Sequence, residues 1–517
     1  MDDQLILPGR PFNYQARDAA ALLAAMVEQI PTTLPEWTGS DSETDVGRAL
    51  LELFAHMGDI ISYYTDVAAN EAFLGTAQTR RAVLQHLRLI GYQLSTAVPA
   101  TAELTVTVPK PPTEQVLVLP GEAFVTASGP DTPGVRFEYA GDKKFVLEAG
   151  DWVASGDVLK ATKTLPVAEG RRIAEVIGIS DGTAHQRFPL PHPKVILRPA
   201  GVDPDVTIDD ASTTEWARQE TLAFSGADQP HFIVEVDEQD RATVVFGDRV
   251  PPPHAVVTAT YRVGGGEQGN VGAHTITTID SAPGLADLSA QVDNEQRAVG
   301  GAERESIEHA VRQAPAVFRS LGRAVTTADY ETLALAFGGV GKVRARARAG
   351  GVVQLTVAPS GGGKVNDVLR SGLTAYFEDK RAVGTRVDVS DATNVPIYVT
   401  AVVDVEHYFS NARIASQVRE AVRGVLSFDR SDFGQTIYLS KFFEAIEAVD
   451  GVAGVNVTEF ATADQPVPVQ PLGKIQLKET DVATVPEPGL PASEVRPGWT
   501  PEDLASGVRV TASGGFQ

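Results

Sequence analysis

Residues 35–64 read PEWTGSDSETDVGRALLELFAHMGDIISYY, a turn-rich loop followed by a strongly patterned segment. The apolar residues of this segment are spaced four, three, four and three positions apart, and they are Leu50, Phe54, Met57, Ile61 and Tyr64. This is the a/d spacing with which one helix packs against a neighbouring helix. The helix partner belongs either to another chain or to this chain's own N-terminal core, and periodicity alone favours the second.

Two further features describe the same predicted helix. Leu53 and Ile60 widen its apolar face, so we expect it to need partners on two sides. Ser42 with Asp45 resembles a capping box, which would fix the residue at which the helix begins. None of these side chains is a nucleophile, so the clearest pattern in the chain points to assembly and not to chemistry.

Composition limits the classes of function. The chain has 517 residues, enough for about three or four domains. Apolar residues make up 43% of it, so sizeable cores can form. The net charge of −23 repels nucleic-acid phosphate, and we therefore predict no nucleic-acid partner.

Cysteine is absent, which excludes disulfides, thiolate zinc sites and a cysteine nucleophile. The first residues, Met1, Asp2 and Asp3, are acidic and are not followed by the apolar core of a signal peptide. No apolar run approaches the length of about 18 residues that a membrane span requires. We therefore expect a soluble protein that is made in the bacterial cytoplasm without a signal peptide and does not insert into membranes.

The pattern along the chain predicts a multidomain α+β fold. Helical periodicity covers residues 1–95, and short alternating segments separated by Pro and Gly predict a β-rich domain over 96–285. A helical connector is expected over 286–340, and two α+β modules over 341–478. Residues 479–517 are rich in proline and are predicted to form an extended tail.

The two α+β modules show a faint internal similarity. Residues 327–340 and 440–452 each read as a short helix, a glycine stop and a Val-rich strand. The aligned pairs include Tyr330 with Phe443 and Leu333 with Ile446. We interpret them as related modules, and chance similarity between amphipathic helices is the alternative.

Three motifs resemble known catalytic or phosphate-binding patterns, but each lacks a feature that its pattern requires. Gly264–Gly269 matches G-x-G-x-x-G, but a second strand and not a helix is predicted after it, which favours a turn between strands. Ser180 lies in a G-x-S-x-G match, yet the prolines that follow forbid the helix of a nucleophile elbow. Ser360–Lys364 lacks the Ser or Thr that binds magnesium in a phosphate loop.

Other candidate sites are weak as well. The nine histidines form no short metal-binding pair, and acidic pairs such as Asp209 with Asp210 are expected by chance in a chain with 67 acidic residues. The four tryptophans are widely separated, so they do not form a carbohydrate platform. We therefore predict a protein that is not an enzyme, with no catalytic residue, no metal and no cofactor.

Taken in order, motifs over about residues 30 to 460 resemble the baseplate J-like family and its baseplate assembly protein group. The residues that carry this resemblance are Pro35–Thr38, Leu50–Phe54, Gly178–Gly182, Gln186–Phe188, Trp216, His231–Phe232, Phe246–Asp248, Pro251–Pro252, Tyr261–Gly266, Gly269–Val271, Arg323–Thr327, Asp329–Tyr330, Gly384–Arg386, Phe433–Gly434 and Gly451–Val452. The chain departs from the family pattern where Phe-Gly-Asp is followed by Arg249 and not by glycine.

The resemblance implies a structural wedge subunit of a contractile phage tail or a related injection system. It implies as partners a second wedge protein, copies of the same chain, the central hub or spike, and the proteins that start the sheath. The helix with Leu50 and Phe54 would then join a bundle between chains. The modules with Tyr330, Leu333, Phe443 and Ile446 would join wedges into a ring.

Two other functions remain open at this stage. A receptor-binding or adhesin module of the same kind of particle would show β-repeats and aromatic ligand platforms, which the sequence lacks. A cell-wall hydrolase carried by the particle would need a working nucleophile such as Ser180. The sequence does not distinguish a phage tail from a phage-derived injection particle.

Overall fold

The computed structural model describes residues 18–38, 42, 44–92, 94–128, 133–141, 143–197, 206–237, 239–428, 430–462, 473–485, 499, 503 and 507–516. These residues form two compact units. The first consists of the described parts of Met1–Leu94 together with Glu305–Gly322, and the second of the described parts of Ser95–Arg304 and Arg323–Gln517. The chain therefore passes between the units three times.

Helices form where apolar residues recur at intervals of three and four. In the described residues they are α1 (Ala19–Thr33), α2 (Val46–Glu71), α3 (Arg80–Leu89), α4 (Pro283–Ala286), α5 (Ile307–Ser320), α6 (Thr327–Ala336), α7 (Asp367–Phe377), α8 (Asn411–Val425) and α9 (Leu439–Glu447). The longest, α2, has 26 residues, a length of about 39 Å at the usual rise per residue. None of these described helices combines the length and apolar character needed to cross a membrane.

The first unit contains α1, α2, α3 and α5, and its core lies between α3 and α5. The buried residues of this core are Ala77, Val83, Leu87, Ile307, Ala310 and Ala314. Ser306 caps α5 by accepting a hydrogen bond from the His309 amide. The range 286–340, predicted as one helical connector, is therefore divided: α5 completes the first unit, whereas α6 packs into an α+β core of the second.

The start of α2 differs from the predicted capping box. Asp45 is the N-cap, and its carboxylate accepts a hydrogen bond from the Arg48 amide at 3.1 Å. Ser42 lies three residues before the cap, and its hydroxyl pairs with the Thr44 hydroxyl. The capping role predicted for Ser42 is wrong, because the turn at 42–45 places the Asp45 side chain, and not the serine, over the free amides.

Strands fill the first half of the second unit. They are β1 (Thr101–Val108), β2 (Val116–Val118), β3 (Ala123–Thr126), β4 (Arg136–Tyr139), β5 (Phe145–Leu147), β6 (Trp152–Ser155), β7 (Val158–Ala161), β8 (Leu165–Glu169), β9 (Arg171–Ile179), β10 (Arg187–Pro189), β11 (Val206–Asp209), β12 (Ala217–Arg218), β13 (His231–Val236), β14 (Ala242–Phe246), β15 (Val256–Val263), β16 (Ile276–Ser281) and β17 (Gln291–Asp293). The β-rich middle of the chain is thereby confirmed.

These strands surround two separate cores. The first lies on a sheet of order β16-β3-β4-β8-β1-β7-β6, in which β17 also pairs with β1, and Leu104 and Phe137 are fully buried in it. The second lies between the sheets β10-β14-β13-β12 and β11-β15-β9. There, Phe246 packs edge-on against Trp216, with ring centroids 4.8 Å apart. The range predicted as one domain thus holds two hydrophobic cores.

The next α+β module contains β18 (Val340–Arg348), β19 (Val352–Pro359) and β20 (Arg386–Asp391). β19 pairs antiparallel with β18 and parallel with β20, and α7 connects β19 to β20. Helices α6 and α7 supply Leu333, Leu373 and Phe377 to the module's core. Helices α6 and α7 therefore pack on the three-stranded sheet through one shared core.

The last module is built around one long strand. Its strands are β21 (Thr393–Val405), β22 (Thr436–Tyr438), β23 (Val452–Thr462), β24 (Lys474–Gln476), β25 (Asp481–Thr484) and β26 (Val508–Ser513). β21 pairs antiparallel with β23 and parallel with both β25 and β26. The range 479–517 is therefore not simply an extended tail, because Val482 and Val508 are buried in this sheet.

The internal similarity between the modules is limited to a helix, a glycine and a strand. In the first copy α6 ends before Gly339, and in the second α9 is followed by Gly451; both glycines have positive φ. The strand that follows pairs with the next strand in one module, β19, and with an earlier strand in the other, β21. The local unit recurs, but the two modules have different chain connections.

We predict that Asp45→Ala destabilises the first turn of α2 by about 1 kcal/mol, because the Arg48 amide loses its acceptor. The measurement is hydrogen exchange in peptides that cover the start of α2. Ser42→Ala is the matched control and should leave exchange there unchanged. Faster exchange in the serine variant, with none in the aspartate variant, would contradict the assignment of the cap.

Candidate assembly surface

Helix α2 turns its small side chains toward α1. Ala55 is 1% exposed, and a Cβ added to Gly58 would lie 2.7 Å from Leu22 on α1. Ser62, one heptad after Ala55, is also buried. This close helix contact therefore uses the side of α2 that carries little apolar surface of its own.

The large apolar side chains of α2 lie on the other side and face water. Between 52% and 66% of each is exposed in Leu50, Leu53, Phe54, Met57, Ile60, Ile61 and Tyr64. We call these seven residues the α2 apolar face. All five residues of the predicted heptad seam belong to it, and the structure brings them together along one continuous stripe of the helix.

Such a face is unfavourable for an isolated chain. Each Leu, Phe or Ile side chain gains about 1.5–3 kcal/mol when it is fully removed from water. Contiguous exposed patches of this kind mark surfaces that bind proteins or membranes, whereas single exposed apolar residues need no explanation. The α2 apolar face is therefore the candidate functional site of this chain.

A contact with Trp37 fixes the first turn of α2, the helix that carries this face. A Cβ added to Gly47 would lie 2.3 Å from Cζ2 of Trp37, so the indole ring rests directly on the first turn of α2. Pro35–Thr38 carries part of the family resemblance, and this contact gives its tryptophan a structural role. The loop before α2 thus holds the helix at its start.

The four residues proposed for the ring-forming modules are located in cores. Tyr330 and Leu333 are each 2% exposed, and Ile446 is fully buried. Phe443 is partly buried and packs against the core of the last module. Tyr330, Leu333 and Ile446 hold their own modules together, so a contact of the modules with another chain would use more exposed residues.

The glycine-rich turn at 264–269 binds carboxylates of this chain. The Gly265 amide donates to Oε2 of Glu169 at 2.6 Å, and the Glu267 amide donates to Oε1 of Glu303 at 3.2 Å. A dinucleotide site would offer such amides to pyrophosphate. The turn ends in a single 3-10 turn at Glu267–Gly269, and the next element is strand β16 and not an α-helix, which agrees with the prediction of a turn between strands.

Burial raises the pKa of Glu169, and the Gly265 hydrogen bond and the nearby Arg262 and Lys194 offset part of this effect. The Glu169 residue is 5% exposed. A cluster of this kind can be catalytic when it opens to a cleft. Here the carboxylate accepts a backbone amide inside the turn, which is a structural use.

Ser180 is also accounted for by local structure. Its hydroxyl donates to the Pro251 carbonyl at 2.6 Å and accepts from the Gly182 amide and the Gln186 side chain. The residue is 2% exposed. The hydroxyl ties the Gly178–Gly182 turn to the proline loop, so this motif match describes a buried turn and not an exposed nucleophile.

Other signature residues have similar explanations. Thr326 and Asp329 form the capping box of α6, which orients Tyr330 into the core. The Asn270 side chain donates to the Gly301 carbonyl and accepts from the Gly301 amide. Across the described ranges, no group of three His, Asp or Glu side chains is arranged to hold a metal ion.

We predict that the stability difference between wild type and Glu169→Gln depends on pH. Because the folded-state pKa of Glu169 is raised, the folded chain holds this proton more tightly than the unfolded chain does. The wild-type free energy of unfolding, relative to the variant, should therefore fall as pH rises above the ordinary carboxyl pKa and level off above the folded-state pKa.

Urea unfolding of both proteins from about pH 5 to about pH 8 measures this difference. The glutamine can still accept the Gly265 hydrogen bond, so the comparison isolates the charge. A difference that increases with pH would show that the turn favours the charged carboxylate and would contradict the prediction.

Residues 18–89 match the bacteriophage baseplate protein N-terminal domain, and residues 322–390 match the baseplate J-like central domain. Both matches are to baseplate domain families. The resemblance predicted from the sequence is confirmed, and the matches support a structural role in the baseplate of a phage tail or tail-like particle.

Two solved structures are similar to the chain at low identity. The anti-feeding prophage baseplate matches at 12% identity and a TM-score of 0.35, covering 92% of this chain and 99% of that chain. The TssK-TssF-TssG baseplate subcomplex of a type VI secretion system matches at 8% identity and a TM-score of 0.30, covering 67% and 96%. Both TM-scores are below 0.5. No curated protein sequence matches the chain significantly.

The two baseplate domain matches locate the features described above. The baseplate N-terminal domain contains the whole of α2 and therefore the α2 apolar face. The baseplate central domain contains α6, α7 and the three-stranded sheet in which Tyr330 and Leu333 are buried.

The carboxylates of Glu169 and Glu303 were not predicted from the sequence, because their partners are more than 30 residues away in the chain.

Proposed function

We propose that this chain is a structural wedge subunit of a contractile phage tail or phage-derived injection particle. The observation that supports the proposal is the α2 apolar face, which is exposed in a helix lying within the baseplate N-terminal domain match. In this role the chain joins other baseplate chains into a ring around the central hub and supports attachment of the sheath.

The spacing of the α2 apolar face fits a helical partner. Leu50, Phe54, Met57, Ile61 and Tyr64 follow the a/d rule, by which side chains of one helix insert between four side chains of a facing helix. The close contact of α2 with α1 is made by small residues, so it leaves the seam open. We propose that helices of a second wedge protein or of further copies of this chain cover it.

We propose a different role for the central module. Its core residues Tyr330 and Leu333 give the module a rigid shape but do not reach a partner. We propose that the exposed surfaces of the central module and of the last module connect neighbouring wedges. The hub or spike and the sheath-initiating proteins are the other partners expected for such a subunit.

We predict that Phe54→Asp combined with Ile61→Asp blocks particle assembly while the soluble protein keeps its fold. Both side chains are more than half exposed, at 61% and 63%, so the chain alone tolerates the charges. In an interface, losing two buried side chains costs about 3–6 kcal/mol, which weakens binding more than about a hundredfold.

The experiment counts complete particles by electron microscopy in cells that carry only the variant gene, and circular dichroism of the purified chain checks its fold. Ala49→Asp with His56→Asp is the matched control, since it adds the same charges to α2 at the same spacing but outside the apolar face. Normal particle numbers with the seam variant would refute the proposal. Equal loss in both variants would mean that charge on α2, and not the seam, is responsible.

A further inference from the structure

Within the second unit, the central module (α6, α7 and β18–β20) meets the β-rich part, the described residues of Ser95–Arg304, through polar contacts. The Asp367 amide donates to Oε1 of Glu103 on β1 at 2.8 Å. The Asn366 side chain donates to the Thr101 hydroxyl at 2.7 Å and to the Thr101 carbonyl at 3.0 Å. These contacts lie at the N-terminus of α7, where free amides favour a carboxylate.

A further hydrogen bond crosses between the same two parts at a glycine. The Gly300 amide donates to the Ser360 carbonyl at 3.1 Å. Beside it, a Cβ added to Gly339 would lie 3.2 Å from the Gly300 carbonyl oxygen, so the two parts approach backbone to backbone. We call this contact the β–central joint, and it joins Thr101, Glu103 and Gly300 to Ser360, Asn366 and Asp367.

A cavity lies at the β–central joint. Its volume is about 50 Å³, and Val98, Ile196, Phe337 and Leu369 are among the residues that line it. Atoms beside a void have no contact partner on that side. The buried core of the first β sheet and the buried core of the central module share no residue. Apolar packing therefore contributes little to holding the two sides of the joint together.

The other side of the central module is held differently. Ala358 of this module forms a buried apolar cluster with Ala392, Phe433 and Val482, which lie at the start of the last module and within it. Only Ala392 separates β20 from β21. The chain before the central module, in contrast, passes through Glu305–Gly322 of the first unit, so no short linker spans the β–central joint.

We propose that the β–central joint is a hinge, at which the central and last modules turn together against the β-rich part. Interfaces between domains of one chain allow relative motion unless they are large and apolar. Hinges consist of a few residues that are often small, which fits the approach of Gly300 to Gly339. The hydrogen bonds of Asn366, Asp367 and Gly300 hold the hinge closed and break when it opens.

The hinge is a property of the chain by itself, and its use in a particle rests on the proposed wedge role. A wedge subunit has to change shape when the sheath is triggered. Opening at the β–central joint lets the β-rich part move while the central and last modules keep their arrangement. The apolar cluster around Phe433 and Val482 preserves that arrangement.

Hydrogen exchange of the purified full-length chain tests the hinge at one amide. Gly300 is buried, and its amide hydrogen bond crosses the joint. The amides of Val299 and Ala302 donate to carbonyls within the β-rich part. Opening exposes the Gly300 amide and leaves the other two bonded, so we expect its protection factor to be at least about tenfold lower than theirs. Equal protection of the three amides would overturn the inference.

The absence of cysteine allows a reversible lock. Thr101→Cys with Asn366→Cys replaces two side chains whose polar atoms lie 2.7 Å apart, so a disulfide between them closes the joint. Oxidation should raise the protection of the Gly300 amide to that of its neighbours. Reduction should lower it below the wild-type value, because the Asn366 hydrogen bond is missing. An oxidised pair that leaves the exchange of Gly300 at the wild-type rate would contradict the hinge.

A variant without a crosslink gives an independent readout. Thr101→Val removes the hydroxyl that accepts from Asn366 and should lower the protection of the Gly300 amide several-fold. Thr107→Val is the matched control at the far end of β1, where the Thr107 hydroxyl donates to the Gln291 carbonyl, and it should leave Gly300 unchanged. Unchanged protection in the Thr101 variant would count against the joint as the point of opening.

Particles test the use of the hinge. Particles that carry the oxidised pair at 101 and 366 should stay uncontracted on heating, and reduction should restore contraction, counted by electron microscopy. The two single-cysteine variants are the controls, since oxidation cannot lock their joint. Normal contraction of oxidised particles would refute a part for the hinge in triggering. Particles that form without the chain would refute the proposed wedge role, and the exchange of Gly300 decides the hinge itself in either case.

Discussion

The packing of α2 against α1 determines which side chains of this helix are exposed. Its small residues, such as Ala55 and Gly58, make the close contact with α1, while bulky residues such as Phe54 and Ile61 face water. A helix built for its own core would show the reverse order, since burial of large side chains is the main source of stability. The first unit thus leaves the large apolar side chains of α2 exposed and does not bury them in its own core.

The second unit shows how a scaffold uses groups that are reactive in enzymes. Glu169, Glu303 and Ser180 each bind backbone amides or carbonyls of neighbouring turns. Buried polar groups need such partners, and a network of them fixes loops in one geometry.

Much of this fold could be predicted from the sequence, because helices and strands follow local periodicity. The helical start of the chain, its β-rich middle and the short helices within 327–340 and 440–452 were all predicted from this periodicity. Contacts between distant residues could not be read in this way. The pairing of Val508 with β21 and the burial of Tyr330 depend on which elements pack against each other. Local sequence periodicity does not specify this packing. The cap at Asp45 was missed because two acceptable capping residues stand three positions apart.

The division of the chain into two units has a mechanical consequence. The first unit is assembled from two separated segments, Met1–Leu94 and Glu305–Gly322, so three covalent crossings join it to the second. A pulling force on the first unit is therefore shared among three backbone connections. A single proteolytic cut in one crossing leaves the units attached, and truncation after residue 94 removes α5 and uncovers Val83 and Leu87. The path of the chain between the units thus determines how many backbone connections carry such a force.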